Sequence, residues 1–380
     1  MKRAASAYLK SNGVIRAMDR VRLGKTGLMV SRISFGALPI QSVDRDSAAA
    51  VARYAFEQGI NFFDTARAYT TSEADLGRAL AGLGDKVIVA TKSYQRSLEK
   101  LKEDFATSFK NLNRDYIDLF QFHIVNEEKE LKAIINRGGL LDYIKEEQQK
   151  GRIRHIGITS HRPALMLEAL KTGHFETVQI PFNYIEREPL EQLIPLAHEL
   201  DIGIIVMKPV AGGVFTSNRA AIRWILQYPD LVPIPGMCRI EEVDDNLQAL
   251  GAPPIAAELA GLEADRQELG SLFCRRCDYC LPCPNEIEAS YILRSGMIFK
   301  RAGWDKLSED HINAFKKGLT CSQCGVCASR CPYNLPLTEM VIDESLALLR
   351  KAVELGKLST DEFSGLLKTL NKQQYLRAKD

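Results

Sequence analysis

The sequence predicts an α/β protein in which a closed (β/α)8 barrel of the TIM type is followed by a small α-helical domain. Two observations predict this division. Up to about residue 256, apolar runs typical of buried strands alternate with amphipathic stretches of helical period. Eight of the nine cysteines come after that point, in two clusters separated by sequence with helical periodicity. A chain of 380 residues is long enough for two such domains.

Eight apolar runs are candidates for barrel strands. In chain order they read RISFGALPI, NFFDTA, KVIVATKS, YIDLFQFH, IRHIGITS, TVQIPFN, IGIIVMKP and LVPIPGM. The helical stretches that follow them read RDSAAAVARYAFEQG, SEADLGRALAGLG, LEKLKEDFATSFKNL, LLDYIKEEQQKG, RPALMLEALKTG, PLEQLIPLAHEL, RAAIRWILQYP and EEVDDNLQAL. Eight strand–helix units of this length favour a closed barrel over residues 18–256. A doubly wound open sheet is the alternative, but no G-x-G-x-x-G motif follows the first strand.

The overall charge balance indicates no anionic macromolecular partner. Lysine and arginine number 50 against 48 aspartates and glutamates, so we expect neither nucleic acid nor a membrane surface as a partner. No apolar run is long enough to span a bilayer, and the start lacks a signal core. We therefore expect a cytoplasmic protein, with residues 1–17 as an N-terminal extension.

The two cysteine clusters read CRRCDYCLPC and CSQCGVCASRC. In each, three cysteines lie three apart and a last cysteine precedes a proline, which is the bacterial ferredoxin signature for [4Fe–4S] clusters. The first cluster contains Cys274, Cys277, Cys280 and Cys283, and the second contains Cys321, Cys324, Cys327 and Cys331. The two-cluster pattern predicts that the first three cysteines of each motif bind one cube and that its last cysteine binds the other.

A structural zinc site is the alternative for these cysteines, but zinc is satisfied by four ligands, commonly as two separated C-x-x-C pairs. The first motif departs from the ferredoxin pattern, because two residues, not three, separate Cys280 from Cys283. The sequence between and after the motifs has helical period, so we expect an α-helical ferredoxin-like domain over residues 265–346 and a helical tail over residues 347–380.

Four polar residues stand at or just after predicted strand ends. Asp64 closes the second strand, Lys92 the third and His123 the fourth, while Tyr69 follows in the loop after the second. Taken singly, each has a structural explanation: a helix cap, a rim charge or a satisfied core histidine. At successive strand ends of a barrel they meet at one mouth, where barrel enzymes place their chemistry.

The chemistry suits a proton donor. A phenol is a poor acid near neutrality because its pKa is about 10, but an adjacent ammonium favours the phenolate and brings this pKa closer to neutrality. Lys92 would supply that ammonium, Asp64 would keep it charged and oriented, and His123 would hydrogen-bond the oxygen that receives the proton from Tyr69.

The barrel sequence resembles the aldo-keto reductase family over nearly all of residues 18–250. FFDTARAY, VATKS, LFQFH, GITSH, VQIPFNY and IPGMCRIEEVDDN match family motifs in chain order. The resemblance implies that Asp64, Tyr69, Lys92 and His123 form the catalytic tetrad, with Tyr69 protonating a carbonyl that receives hydride. With its cysteine motifs, the whole chain resembles the ferredoxin-fused branch of that family.

The resemblance further implies a nicotinamide cofactor, NAD(H) or NADP(H). Its carboxamide would contact Thr159, Ser160 and Gln179, and its adenine would contact Asp245 and Asn246. These contacts follow from the matched motifs GITSH, VQIPFNY and IPGMCRIEEVDDN.

Departures from the family pattern affect the cofactor site. Met207 stands where many members stack an aromatic ring on the nicotinamide, and a thioether is a poorer platform, so we expect weak cofactor binding. Lys208 next to it is a candidate for the pyrophosphate or a substrate acid, or else a solvated rim lysine.

The loop that carries cations for the 2′-phosphate of NADP elsewhere in the family here contains Gly236, Met237 and Glu242. Arg239 is the nearest cation in it. Glu242 would repel a phosphate and accept a hydrogen bond from a free 2′-hydroxyl, which favours NAD(H).

Three functions fit these features. The chain is a nicotinamide-dependent carbonyl reductase with structural clusters, or the clusters carry electrons to or from a small carbonyl-type substrate, or the protein is an electron-transfer module of a larger complex. The complete tetrad argues against the third, and we predict the second, an iron–sulfur oxidoreductase.

Electron transfer through the clusters raises a problem of electron number. Nicotinamide transfers two electrons as hydride, whereas a [4Fe–4S] cube accepts one, and a flavin normally stands between them. No flavin motif is recognisable, although a barrel mouth can hold FMN without one. Either a partner flavoprotein makes the conversion or the substrate itself takes electrons singly, and the expected protein partner is a soluble ferredoxin, flavodoxin or flavoprotein.

Overall fold

The computed structural model divides into two compact units, Met1–Glu263 and Ala264–Asp380. It describes residues 7–11, 14–269, 272–275, 278–331 and 333–370. Within these residues, no helix is both long enough and apolar enough to cross a membrane.

Two antiparallel hairpins precede the barrel. The first pairs β1 (Ala7–Ser11) with β2 (Val14–Met18), and the second pairs β3 (Arg20–Arg22) with β4 (Met29–Ser31). The first hairpin falls largely within the predicted extension 1–17, whose separate status stays a prediction.

The second hairpin packs against the amino-terminal ends of the barrel strands. Leu23 and Val30 are fully buried in one apolar cluster with barrel residues such as Phe62. Arg22 forms two hydrogen bonds of 2.8 Å with the carboxylate of Asp201, which lies just before a barrel strand. The hairpin therefore closes the end of the barrel opposite to the carboxyl ends of the strands.

Eight parallel strands form the barrel and are hydrogen-bonded to one another in chain order. They are β5 (Phe35–Gly36), β6 (Phe62–Asp64), β7 (Ile88–Ser93), β8 (Ile117–Phe122), β9 (Ile153–Thr159), β10 (Thr177–Pro181), β11 (Gly203–Met207) and β12 (Leu231–Pro233). Each lies inside one of the predicted apolar runs, so the sequence-based prediction of the strands is confirmed.

The barrel closes where β5 meets the chain at and just after β12. Backbone N–H groups of Ser34 and Gly36 donate to the carbonyls of Pro233 and Pro235, both at 3.0 Å. A side chain at Gly36 is excluded here, since its Cβ would lie 2.5 Å from the carbonyl oxygen of Ile234. The glycine thus permits the close backbone contact that completes the barrel.

Helices connect the strands on the outside. They are α1 (Arg45–Glu57), α2 (Ser72–Ala79), α3 (Leu98–Leu112), α4 (Glu128–Ile135), α5 (Leu140–Gln149), α6 (Pro163–Lys171), α7 (Leu193–Glu199), α8 (Asn218–Ile225) and α9 (Ile240–Leu247). Short 3-10 turns span Leu38–Ser42, Gly84–Lys86 and Glu188–Leu190. All but α4 were predicted; α4 starts with a capping box in which Glu130 accepts the N–H of Glu127 at 3.0 Å.

The second unit is helical, as predicted. Its elements are the end of α10 (Ala256–Leu269), then α11 (Ala289–Ala302), a 3-10 turn (Trp304–Lys306), α12 (Glu309–Gly318), α13 (Val326–Arg330), α14 (Leu337–Glu354) and α15 (Thr360–Thr369). Its core is built around fully or almost fully buried residues such as Ile292, Phe315 and Leu349. The domain limits at 256, 265 and 346 stay predictions, and α14 runs across residue 346.

Candidate functional site

The carboxyl ends of neighbouring strands bring the four predicted tetrad residues together. Asp64 is the last residue of β6, Lys92 lies near the end of β7 and His123 directly follows β8. Tyr69 lies in the loop between β6 and α2. Because β6, β7 and β8 are adjacent in the barrel, their ends place these side chains at one mouth.

A buried ion pair lies at the centre of the site. Lys92 Nζ donates to Asp64 Oδ1 and to the carbonyl oxygen of Thr65, both at 2.6 Å. The two charged side chains are 1% and 3% exposed. Burial raises the pKa of Asp64, while the charge of Lys92 and the hydrogen bonds around the carboxylate lower it. The arrangement fixes a positive charge inside the barrel mouth.

The tyrosine lies over this charge. Lys92 Nζ is 5.3 Å from the centroid of the Tyr69 ring. The rings of Tyr69 and His123 meet edge to face, with centroids 5.8 Å apart and planes at 79°. Lys92 and His123 therefore flank the same half-buried phenol.

His123 is held in its neutral form. Burial, followed by the charges of Lys92 and Arg96, lowers the pKa of His123 well below its ordinary value of 6.5. Arg96 also donates to the backbone carbonyl of His123 at 2.8 Å. The Nδ1 atom of His123 is buried and has no hydrogen-bond partner among the described residues. A neutral imidazole still offers one N–H to a bound oxygen.

Two glutamines complete the interior of the site. Gln121 Nε2 donates to Asp64 Oδ2 at 3.1 Å and to Gln179 Oε1 at 2.9 Å. Gln179 Nε2 points back to Asp64 Oδ1 at 3.4 Å. Gln179 was predicted as a cofactor contact, but Gln121 was missed by the sequence-based analysis. The sequence feature that could have identified Gln121 is that it is a polar residue inside the apolar run LFQFH.

The two other predicted carboxamide contacts lie after or at the end of β9. The hydroxyl of Thr159 accepts the N–H of Ile124 at 2.9 Å, and the hydroxyl of Ser160 donates to Asn126 Oδ1 at 3.0 Å. Thr159 and Ser160 are both buried. Asn126, which the sequence-based analysis did not select, thus shares this corner of the mouth.

The remaining predicted cofactor contacts follow β11 and β12. Met207 is the last residue of β11 and packs at the edge of the barrel's apolar core. Lys208 has a positive φ of 55°, and its carbonyl accepts from Asn183 Nδ2 at 3.2 Å. Asp245 is exposed and Asn246 is buried on α9.

Glu242 is already engaged within the chain. It accepts the backbone N–H of Cys238 at 2.8 Å and forms an ion pair of 3.0 Å with Arg239. Gly236 lies against Pro39, since a Cβ at Gly236 would be 2.7 Å from Pro39 Cγ. The charge of Arg239, the nearest predicted cation for a 2′-phosphate, is therefore compensated.

The cysteines of the second unit come from both motifs. Cys274 and Cys280 are 8% and 7% exposed and belong to its apolar core. Cys277 lies outside the described residues. The described cysteines form no disulfide, and the described side chains form no group of three histidines, cysteines or carboxylates that could hold a single metal ion.

The last cysteine of the first motif lies near the second motif. Burial raises the pKa of the Cys321 and Cys327 thiols, and the negative charge of a Cys283 thiolate raises both further. Such an effect acts over several ångströms, so Cys283 lies in the neighbourhood of both thiols, although the three sulfurs do not form a group that could hold a metal ion. This proximity fits the predicted exchange of the last ligand between two clusters, and thiolates are the donors that iron–sulfur clusters use. Cys331 is half-buried and Cys324 is exposed.

Comparisons with known protein families match two separate parts of the chain. Residues 32–220 match the model of the aldo/keto reductase family, and residues 273–336 match that of the 4Fe-4S dicluster domain.

Individual relatives cover the barrel. The uncharacterized oxidoreductase YqkF of Bacillus subtilis is 30% identical over 53% of this chain and 68% of its own length. Probable aldo-keto reductase 1 of Glycine max is 27% identical over 60% of this chain and 84% of its own length. The solved structure of aldo-keto reductase AKR11C1 from Bacillus halodurans, in its holo form, superposes with a TM-score of 0.58 at 26% identity, covering 65% of this chain and 96% of that one.

The buried ion pair generates a prediction about stability. Lys92→Met leaves the Asp64 carboxylate buried without its cation, which costs about 3–5 kcal/mol. We expect scanning calorimetry of the cluster-loaded protein to show a Tm lower by roughly 10 °C. Adding Asp64→Asn removes the stranded charge and recovers part of this loss.

The control for this prediction is Arg78→Met, which breaks the exposed pair of Arg78 with Asp46, whose side chains are 56% and 83% exposed. That change costs at most about 1 kcal/mol. Equal Tm shifts for Lys92→Met and Arg78→Met would contradict the importance assigned to the buried pair.

Proposed function

Because this chain belongs to the aldo/keto reductase family and carries a 4Fe-4S dicluster domain, we propose that it is an iron–sulfur oxidoreductase that reduces a small carbonyl or related substrate, with Tyr69 as the proton donor. One observation supports this above all: the Lys92 ammonium is buried 5.3 Å from the centre of the Tyr69 ring and is held there by Asp64.

The charges in the mouth favour proton donation by Tyr69. A phenol releases its proton more readily beside a fixed cation, because the cation stabilises the phenolate. Asp64 holds the Lys92 ammonium in place through their ion pair of 2.6 Å. Neutral His123 offers a hydrogen bond to the substrate oxygen without adding a second charge. The substrate oxygen thus meets a proton donor and a hydrogen-bond donor together.

The polar groups around the mouth support a nicotinamide site. When bound there, NAD(H) or NADP(H) would supply hydride to the substrate carbon. We propose that Thr159, Ser160 and Gln179 hold its carboxamide, since their side chains are buried at the end of β9 and in the middle of β10. Met207 at the end of β11 offers a weak platform for the ring.

Charge compensation in the β12–α9 segment supports a preference for NAD(H). Glu242 pairs with Arg239 and accepts a backbone N–H, so the cation that a 2′-phosphate would need is neutralised. Asp245 and Asn246 on α9 are the proposed contacts of the adenine, and Lys208 that of the pyrophosphate or a substrate acid. A flavin in the mouth stays an alternative for converting paired electrons to single ones.

We propose that the cysteines of the helical unit hold two [4Fe–4S] clusters that pass single electrons between the barrel's substrate and a soluble ferredoxin, flavodoxin or flavoprotein. One cube would be bound by Cys274, Cys277, Cys280 and Cys331, and the other by Cys321, Cys324, Cys327 and Cys283. The proximity of Cys283 to Cys321 and Cys327 supports this ligation.

A second candidate function is a nicotinamide-dependent carbonyl reductase whose clusters only stabilise the helical unit. It is favoured by the burial of Cys274 and Cys280 in the apolar core, where a cluster would also join the surrounding chain segments. The experiments below separate the two candidates.

Tyr69→Phe removes the phenol hydroxyl and keeps the ring. We expect kcat for the reduction of para-nitrobenzaldehyde with NADH to fall by about 10²- to 10⁴-fold, the usual contribution of a general acid. Iron content and Tm should stay at the wild-type values. Turnover within a factor of two of wild type, measured by NADH absorbance, would rule out the role of Tyr69.

Cys283→Ala should damage the cube held by the second motif. After reduction, each cube gives an electron paramagnetic resonance signal. We expect Cys283→Ala to lose the signal that Cys324→Ala also loses, and to keep the other signal, which Cys274→Ala loses. Cys238→Ala is the control and should keep both. If Cys283→Ala instead matches Cys274→Ala, each motif binds its own cube.

Electron delivery through the clusters is tested by anaerobic turnover without nicotinamide. We expect clusters reduced by a low-potential viologen to be reoxidised when benzaldehyde, which has no nitro group to accept single electrons, is added. This reoxidation should slow in Tyr69→Phe, because each pair of electrons needs two protons, one at the substrate oxygen from Tyr69 and one at the carbon from water. If NADH drives turnover but reduced clusters stay reduced, the clusters are structural.

A further inference from the structure

We propose that Gln121 is a positioning residue of the site: its side-chain amide holds the Asp64 carboxylate so that Asp64 keeps Lys92 beneath Tyr69. The inference rests on the proposed function, because it assigns Gln121 a task within the same proton-donating site. Gln121 would touch neither substrate nor cofactor and would act through Asp64.

The amide of Gln121 joins two other side chains. Both N–H groups of its nitrogen are used, one for Asp64 Oδ2 at 3.1 Å and one for Gln179 Oε1 at 2.9 Å. Asp64 Oδ1 accepts from Lys92 at 2.6 Å. The carboxylate is therefore fixed at both oxygens by residues from two neighbouring strands, β7 and β8.

The orientation of the amide is set by the carboxylate. The opposite orientation would place the amide oxygen against Asp64, and two acceptors repel each other. In the observed orientation, Gln121 Oε1 is buried and has no hydrogen-bond partner among the described residues. The hydrogen bond to Asp64 is thus kept although the amide oxygen goes unpaired.

Gln121 is a polar residue in an otherwise apolar part of β8. The neighbours of Gln121 in β8, Phe120 and Phe122, are fully buried aromatic residues. Gly157 on β9 lies opposite Gln121 in the sheet, and a Cβ at Gly157 would be 3.1 Å from Gln121 Cγ and 2.1 Å from Thr177 Oγ1. The glycine leaves the space that the amide occupies.

The charged group that faces Asp64 is Lys92 on β7, and the titratable side chains of His123 after β8 and Tyr69 in the loop after β6 lie beside Lys92. Hydrogen bonds to a carboxylate favour its ionised form, so loss of the Gln121 amide raises the pKa of Asp64 above its already raised value. A protonated Asp64 no longer balances the charge of Lys92. Gln121 therefore lowers the pH at which Asp64 becomes protonated and its ion pair with Lys92 is lost.

The first test is thermal and needs no substrate. An acid whose pKa is higher in the folded than in the unfolded state favours folding at low pH. This contribution is lost as the pH rises from the unfolded pKa, about 3.9, through the folded pKa. We expect the Tm deficit of cluster-loaded Gln121→Met, relative to wild type, to grow as the pH rises above the unfolded pKa.

Thr177→Val is the matched control for this test, since it removes a buried barrel hydroxyl that has no partner among the described residues. Its Tm difference from wild type should not depend on pH. A pH-independent deficit in Gln121→Met, parallel to that of Thr177→Val, would show that Gln121 only fills space and would overturn the inference.

The second test measures turnover of para-nitrobenzaldehyde with NADH. Loss of a hydrogen bond to a charged group lowers kcat of Gln121→Met by about 10- to 100-fold, with KM little changed, because the substrate is not contacted. The acid limb of the pH profile moves to higher pH. Gln121→Glu, which keeps the shape but sets a second carboxyl beside Asp64, moves that limb further, since the two acids compete for one proton.

The tests separate this inference from the proposed function. Full turnover in Tyr69→Phe overturns the proposed function, and the thermal measurement then decides the inference about Gln121 alone. A large loss in Tyr69→Phe together with an unshifted acid limb in both Gln121 variants leaves the proposed function standing and overturns the role of Gln121.

Discussion

The ion pair between Lys92 and Asp64 is the interaction on which the rest of the site depends. Removing two charges from water costs several kcal/mol per ion, and attraction repays this cost only when further hydrogen bonds satisfy both groups. Here the carbonyl of Thr65 serves the ammonium, and the amides of Gln121 and Gln179 serve the carboxylate. The pair therefore needs three strands, β7, β8 and β10, and the end of a fourth, β6.

The closed barrel is what brings these strands to one point. The contact of Gly36 with the chain after β12 removes both sheet edges, so every strand end faces the same mouth. An open sheet would leave β6 and β10 far apart. The absence of a side chain at Gly36 is thus linked, through barrel closure, to the geometry around Asp64.

The strands, and the meeting of Asp64, Lys92 and His123 at the ends of β6, β7 and β8, were predictable because both follow from short-range signals. Buried parallel strands read as apolar runs, and polar residues at their ends must converge once the strands close into a barrel. The short helix α4 was missed because its apolar period is brief and because its capping box starts at Glu127, which is not one of the usual N-cap residues. The pairing of Glu242 with Arg239 and the backbone was missed for another reason: residues three apart at a helix start can serve each other or a ligand, and sequence alone does not distinguish the two.

The role proposed for Gln121 could not be predicted from the sequence. A single polar residue in an apolar strand reads as an interruption, and its meaning depends on partners from distant strands that only the fold supplies. In the proposed reaction, these partners help to couple two events, the delivery of electrons to the substrate and the protonation of its oxygen. Whether electrons reach the substrate as hydride or singly, negative charge develops on its oxygen and must be neutralised there. The Lys92 side chain, the neutral imidazole of His123 and the phenol of Tyr69 would serve that need in either case, so the proposed proton donation does not depend on whether a nicotinamide or a cluster supplies the electrons.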